Sequence, residues 1–264
     1  MFKPFTERIA LLAKKYPDRI QELESLLVDK VGIYIDYSNV INSQDNLGWR
    51  IDLRRLKQFL NSFDTICKVK FYNGTLEGDA VSEGLIEDAK RYGYEVITKP
   101  VKIMNIPINV ASIPINSPDI IKNFIRSPLL RKLTIETIEF LNRKLLELNK
   151  QGIMYLEHRK CNFDVEIGSD MLVDVATSEV FTFILWSGDG DFADSLERLL
   201  NAKRKCIVFS TARRVARELN ALRSKGLLIY DIHKIRNFIC WKKEIDVKLE
   251  PLKSKKDSSP SPQA

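Results

Sequence analysis

Six short apolar runs punctuate the chain, at residues 31–35, 66–72, 94–98, 181–186, 205–210 and 227–232. They are rich in Val, Ile, Phe and Tyr and lack strict alternation, the pattern of strands buried on both faces. Helices are predicted between and after them, over 52–61, 79–91, 164–177, 192–201, 212–223 and 233–239, with Asp52 and Asp79 placed as N-caps. Alternation of this kind predicts an α/β fold with a central, mostly parallel sheet covered by helices on both faces. Ahead of it, Ile9, Leu12, Ile20, Leu23 and Leu27 recur at helical spacing, and Pro17 suits the first turn of a second helix. Residues 1–30 therefore form an N-terminal helical extension.

The rhythm breaks at about residues 100–150. Pro100, Pro107, Pro114 and Pro118 argue against a central strand, and an amphipathic helix follows near 132–149, with Leu133, Ile138, Leu141, Leu145 and Leu148 on one side. The expected organisation is a domain at 31–240 carrying this partly helical insertion, then a C-terminal segment at 241–264. The Ser/Pro-rich polar tail is expected to be disordered from about residue 253. The N-terminal helices and the insertion each offer a surface for self-association, although a helix packed on its own domain accounts for the pattern as well.

Two of the apolar runs end in acid. Residues 31–35 run into Asp36, with Asn39 three residues on. Ile184-Leu185-Trp186 runs into Ser187-Gly188-Asp189-Gly190-Asp191-Phe192. In parallel α/β sheets, ligands collect beyond the carboxyl ends of the strands, above all where strand order reverses. If the two strands are neighbours, about 4.8 Å apart, Asp36 and Asp189 reach one cation. The helix at 164–177 precedes the 181–186 strand, so its first turn, with Asp164, lies at the same edge, where the helix dipole favours an acid. Asp170, about 9 Å further along the axis, suits an outer position, and Asp174 a solvent-facing or paired one. Clustered carboxylates repel one another unless a cation neutralises them, and all-oxygen ligation selects Mg²⁺ or Mn²⁺. Each residue also has a local explanation. Asp36 and Asn39 can serve a turn, Asp191 can cap the helix that follows, and Asp164 can be an ordinary first-turn acid. Gly188 and Gly190 permit close backbone approach beside the acids.

The chain has 264 residues, 44% of them hydrophobic, and a formal net charge of +7. The charge favours a polyanionic partner such as nucleic acid, or simply a soluble basic protein. Lys160, Arg213 and Arg214 are the basic residues expected to contact nucleic-acid phosphates; a solvated helix face is the alternative for the two arginines. Cys67, Cys161, Cys206 and Cys240 form no CxxC pair, which argues against a structural zinc site and suits a reducing cytoplasm. Cys67 and Cys206 are expected to be buried free thiols. No apolar stretch approaches the length of a membrane span, and charges interrupt the N-terminus, so neither a membrane partner nor a signal peptide is expected. Only His158 and His233 could complete a Ser-His-Asp triad, and no nucleophile elbow accompanies them.

Four segments resemble the NYN domain, a branch of the PIN-like nuclease superfamily. They are Ile33-Tyr34-Ile35-Asp36-Tyr37-Ser38-Asn39-Val40, Lys70-Phe71-Tyr72-Asn73-Gly74, Lys160-Cys161-Asn162-Phe163-Asp164 with Asp170 six residues on, and Ser187-Gly188-Asp189-Gly190-Asp191-Phe192. The resemblance covers roughly residues 31–98 and 152–240. It implies a PIN-like three-layer α/β/α sandwich and a divalent-metal ribonuclease site of Asp36, Asp164, Asp189 and Asp191, with Asp36, Asp164 and Asp189 as metal ligands and Asn39, Asp170 and Ser187 supporting. The leading expectation is thus a ribonuclease, an endonuclease rather than an exonuclease. The alternative is a non-catalytic RNA-binding or regulatory module that keeps the fold. A phosphohydrolase of the haloacid-dehalogenase type would need a second acid at Ser38, which the chain lacks.

Overall fold

The computed structural model describes residues 1–177, 179–211 and 214–241; the expected disorder from residue 253 lies outside the described residues. In chain order the elements are α1 (Glu7–Lys15), α2 (Pro17–Leu26), β1 (Val31–Asp36), α3 (Tyr37–Leu47), α4 (Leu53–Leu60), β2 (Ile66–Thr75), α5 (Ala80–Arg91), β3 (Glu95–Pro100), β4 (Lys102–Pro107), α6 (Ser127–Leu130), α7 (Ile135–Lys150), β5 (Tyr155–Lys160), α8 (Asp164–Thr177), β6 (Thr182–Trp186), α9 (Ala193–Asn201), β7 (Lys205–Ser210), α10 (Arg217–Ala221), β8 (Leu228–Asp231) and α11 (Arg236–Ile239). Among the described residues no helix is long and apolar enough to cross a membrane. The chain divides into two compact units, one of Met1–Asn73, Ala80–Thr98 and the chain from Phe163, the other of Gly74–Asp79 and Lys99–Asn162.

The first unit is built on a six-stranded sheet in the order β3-β2-β1-β6-β7-β8. β1 pairs in parallel with both β2 and β6, and β6–β7 and β7–β8 are parallel as well. Strands added in one direction from β1 and in the other from β6, so strand order reverses between these two. Side chains alternate across the sheet. Val31, Ile33, Ile35, Val69, Phe71, Ile184, Trp186, Ile207 and Phe209 turn to one face and share a core with Ile9, Leu12 and Leu23 of α1 and α2, Leu56 and Phe59 of α4, Ile86 of α5 and Phe238 of α11. On the other face α8 packs on β1 and α9 on β7. The result is helix, sheet, helix. Local chemistry sets the helix starts: Thr6 caps α1, Pro17 opens α2, and Asp52 caps α4 by accepting from the Arg55 N–H at 3.0 Å.

Beside the buried Ile167 and Met171, α8 carries acids that bond to the sheet. Asp174 accepts from the Tyr34 hydroxyl and from Lys68 Nζ, each at 2.6 Å, and lies 3.7 Å from Lys70 Nζ. Asp170, one helical turn earlier, accepts from Lys70 Nζ at 3.0 Å and the Tyr72 hydroxyl at 2.6 Å. Parallel pairing sets Tyr34 beside Lys70 and Asp36 beside Tyr72, so the β1 and β2 side chains on this face form a ladder that reads the acids of α8. Burial raises the Asp174 carboxyl, but the bonds from Lys68 and Tyr34 and the charge of Lys70 outweigh it and leave the carboxyl below its usual value. Burial first, then Asp174 and Asp170, raise the phenols of Tyr34 and Tyr72.

Three sequence expectations need correction. The register slips between Val31 and Gly32, leaving Cys67 as an extra residue between Ile66 and Lys68; this bulge turns Cys67 outward, so it is exposed while Cys206 is buried. The helix expected over 212–223 begins at Arg217, because the Ala216 N–H is committed to the Gly188 carbonyl at 3.0 Å and Ala216 stays extended at ψ 154°. Residues 37–47, to which the sequence pattern assigned no element, form α3; few apolar residues mark it, and the Asp36 cap supplies its start.

The second unit contains the two-stranded antiparallel sheet β4–β5 and α7, which Thr134 caps. Two buried asparagines seven residues apart on α7 hold the proline-rich stretch that follows β4. Asn142 Nδ2 donates to the carbonyls of Ile115 and Ser117 at 2.7 and 2.8 Å. Asn149 accepts from the Val110 N–H at 2.9 Å and donates to Ile108 at 3.1 Å and Ile153 at 3.0 Å. The loop thus satisfies its backbone groups through side-chain amides rather than a ladder.

Asp174→Ala removes the shared acceptor of a buried phenol and a lysine. The expected cost is about 3 kcal/mol, read as a lower urea midpoint with an unchanged denaturant slope.

Candidate functional site

The reversal of strand order between β1 and β6 opens the crevice in which α/β sheets bind ligands. β1 and β6 are paired from Val31 opposite Thr182 to Ile35 opposite Trp186; the next residue of each strand is Asp36 and Ser187. Each strand leads directly into a helical turn whose cap is its own terminal acid. Asp36 Oδ1 accepts from the Asn39 N–H at 3.3 Å and caps α3. Asp189 Oδ1 accepts from the Asp191 N–H at 3.2 Å and caps the short 3₁₀ turn Gly190–Phe192 that precedes α9. The cap at this helix is therefore Asp189, with Asp191 exposed in the first turn.

Ser187 joins the two acids. Its buried hydroxyl donates to Asp36 Oδ2 at 3.1 Å and accepts from the Asp189 N–H at 3.3 Å. Asn39 ties the same two loops from the other side, accepting from the Gly188 N–H at 3.4 Å. Asp164 opens α8 behind the buried Phe163, whose ring packs on Tyr72 with centroids 5.8 Å apart. Burial pushes the Asp36 carboxyl up to about 6; the bonds from Asn39 and Ser187 oppose this, and the charges of Asp164 and Asp189 add to it. Asp36, Asp164 and Asp189 thus act on one another electrostatically. Asp170, expected in support of this cluster, is hydrogen-bonded to Lys70 and Tyr72.

Hard carboxylate oxygens in mutual repulsion are the donor set that Mg²⁺ or Mn²⁺ accepts and zinc disfavours. Among the described residues, no three His, Cys, Asp or Glu side chains are already gathered as a ligand group; both oxygens of Asp36 and one of Asp189 are engaged at caps and by Ser187.

Gly188 fits against the 214–216 segment so tightly that a Cβ there would lie 2.1 Å from the Arg214 carbonyl oxygen. Arg214 is exposed beside the acid loop, before α10 rather than within a helix; Arg213 lies outside the described residues. Lys160 ends β5 in the second unit. One acid escaped the sequence reading: Glu218, in the first turn of α10, has Oε2 2.8 Å from where a Gly190 Cβ would stand. Nothing in the sequence marks it, because Arg217-Glu218 reads as a solvated helix start.

Two outcomes are expected. In the native state Asp36 binds its proton more tightly than in the unfolded chain, so its ionisation costs stability as pH rises from about 4 to 6. In EDTA at about pH 7.5, Asp36→Asn should be more stable than the wild type by about 2 kcal/mol, a gap that closes below about pH 4 in urea titrations. Gly188→Ala should lose about 2 kcal/mol or more in the same assay, because a backbone carbonyl cannot yield as a side chain can.

The chain is similar to known proteins in three comparisons. The NYN domain family matches residues 128–227. The Low amplitude and bright protein LabA of Synechococcus elongatus is 27% identical over 212 residues, spanning 80% of this chain and 87% of that protein. The crystal structure of a Vibrio parahaemolyticus protein of unknown function superimposes with a TM-score of 0.48 at 18% identity, covering 80% of this chain and 96% of that one. The residues similar to the NYN domain, 128–227, take in Lys160, Asp164, Asp170 and the Ser187–Phe192 loop, within an α/β fold of a mostly parallel sheet between helices.

Proposed function

We propose that the protein is a divalent-metal-dependent ribonuclease that hydrolyses RNA phosphodiester bonds internally. The observation that carries this reading is the meeting of Asp36, Asp164 and Asp189 at the reversal point of the sheet, close enough for the latter two to raise the Asp36 carboxyl. In this reading Asp36, Asp164 and Asp189 hold one Mg²⁺ or Mn²⁺. The bound ion supplies an activated water and neutralises charge on the phosphoryl and leaving oxygens. Ser187 and Asn39 keep Asp36 and Asp189 aimed at a common point through the hydrogen bonds that join their loops. Asp191, exposed at the same loop, is the acid available to accept a proton from water. Arg214 beside the loop, with Arg213, would hold the RNA backbone through phosphate contacts that carry no sequence information.

One observation favours a second reading, a non-catalytic RNA-binding module. The carboxylate oxygens of Asp36 and Asp189 already serve as caps, and no ligand group is gathered among the described residues. The two readings part in one assay. Single-stranded and structured RNAs incubated with the protein and Mn²⁺ or Mg²⁺ should be cut, EDTA should stop cleavage, and Asp36→Asn or Asp189→Asn should slow it by about 100-fold or more. RNA bound but left intact with either metal favours the second reading.

A further inference from the structure

Among the described residues the β4–β5 ribbon of the second unit pairs with no other strand. All six residues of β5 are exposed, as are Lys102, Ile103, Asn105 and Pro107 of β4. Its register sets Lys102 opposite Lys160, Ile103 opposite Arg159, Met104 opposite His158, Asn105 opposite Glu157 and Ile106 opposite Leu156. Alternation then sorts the side chains. One face carries Lys102, Lys160, His158, Met104, Ile106 and Leu156; the ribbon's one acid, Glu157, stands on the other face with Arg159, 3.9 Å away. Two ammonium groups directly opposite each other in a two-stranded ribbon destabilise it, and that face holds no carboxylate to relieve them. A polyanion lying along the face does relieve them. The six-residue strands extend about 20 Å, long enough for several phosphates, and the apolar side chains between the basic groups suit the sugar and base edges of a nucleic acid better than a wholly solvated face.

We propose that this face of the β4–β5 ribbon is an RNA-binding surface in its own right, with Lys102 and Lys160 taking backbone phosphates and His158 a further polar contact. The proposal rests on the reading of RNA as the substrate and adds where the second unit engages it.

The test is fluorescence anisotropy with a labelled single-stranded oligoribonucleotide in EDTA, over a range of KCl concentrations. The variants are Lys102→Gln/Lys160→Gln and, as the conservative control, Lys102→Arg/Lys160→Arg. Each phosphate contact to a single strand contributes about 0.7 to the slope of log K against log salt. The glutamine pair should lower that slope by about 1.4 and weaken binding about 25-fold at about 0.1 M salt, while the arginine pair keeps both values. Removing the like-charge pair should leave the melting temperature unchanged or raised, so the glutamine variant remains folded. Equal affinity and slope in the glutamine pair and the wild type overturn the ribbon surface alone. Absence of RNA binding by the wild type overturns it together with the ribonuclease reading.

Discussion

The parallel pairing of β1 with β6 is the constraint on which the site depends. Sequence separates Asp36 from Asp189 by most of the domain, and the ladder from Val31–Thr182 to Ile35–Trp186 ends with their loops side by side. Because strands are added outward from this pair in opposite directions, the strand order reverses here, the position at which α/β sheets bind ligands. Each acid then does two jobs with one carboxylate. It starts the next helix, which saves a backbone N–H from being unsatisfied, and it faces the crevice where the charges of its neighbours are felt. The Ser187 hydroxyl and the Asn39 amide make the two loops a single bonded unit.

The third acid depends on a different interaction. An α-helix lying on a sheet by apolar contacts alone could rotate at modest cost. Here α8 is keyed by Asp170 to Lys70 and Tyr72 and by Asp174 to Tyr34 and Lys68. Hydrogen bonds of this kind tolerate little rotation, and leaving one unmade in a buried setting is costly. The two keyed acids lie further along the helix than Asp164, so the rotation they fix is also the rotation of Asp164 relative to Asp36. The acids along α8 therefore divide between those that position the helix and Asp164, whose charge acts on Asp36.

The sheet and most of its helices were legible because parallel strands buried on both faces leave continuous apolar runs, and helices on them leave a 3.6-residue period. Acids at strand ends were legible for the same reason: a charge that stops an apolar run stands out. The residues that escaped are ones whose role depends on a partner distant in sequence. Lys68 and Lys70 interrupt an otherwise apolar run, and the sequence does not name their partners until α8 is laid across them. Asn142 and Asn149 look like polar interruptions of an amphipathic helix until the proline-rich stretch returns to bond them. Cys67 looks buried until a one-residue register slip turns it outward.

By itself the sequence determined the alternation of strand and helix, the three acids near one edge of an α/β sheet, and the resemblance that their spacing carries. These follow from local rules: side-chain period, capping preference and the behaviour of glycine next to a strand end. The tertiary structure alone decided that β1 and β6 are neighbours, that Asp189 rather than Asp191 caps the turn, that Asp170 bonds Lys70 and Tyr72, and that Glu218 stands over Gly190. Each of these is a pairing between segments far apart in the chain, settled by which hydrogen bonds and charges can be satisfied together once the backbone is folded, and no local pattern encodes such a joint solution.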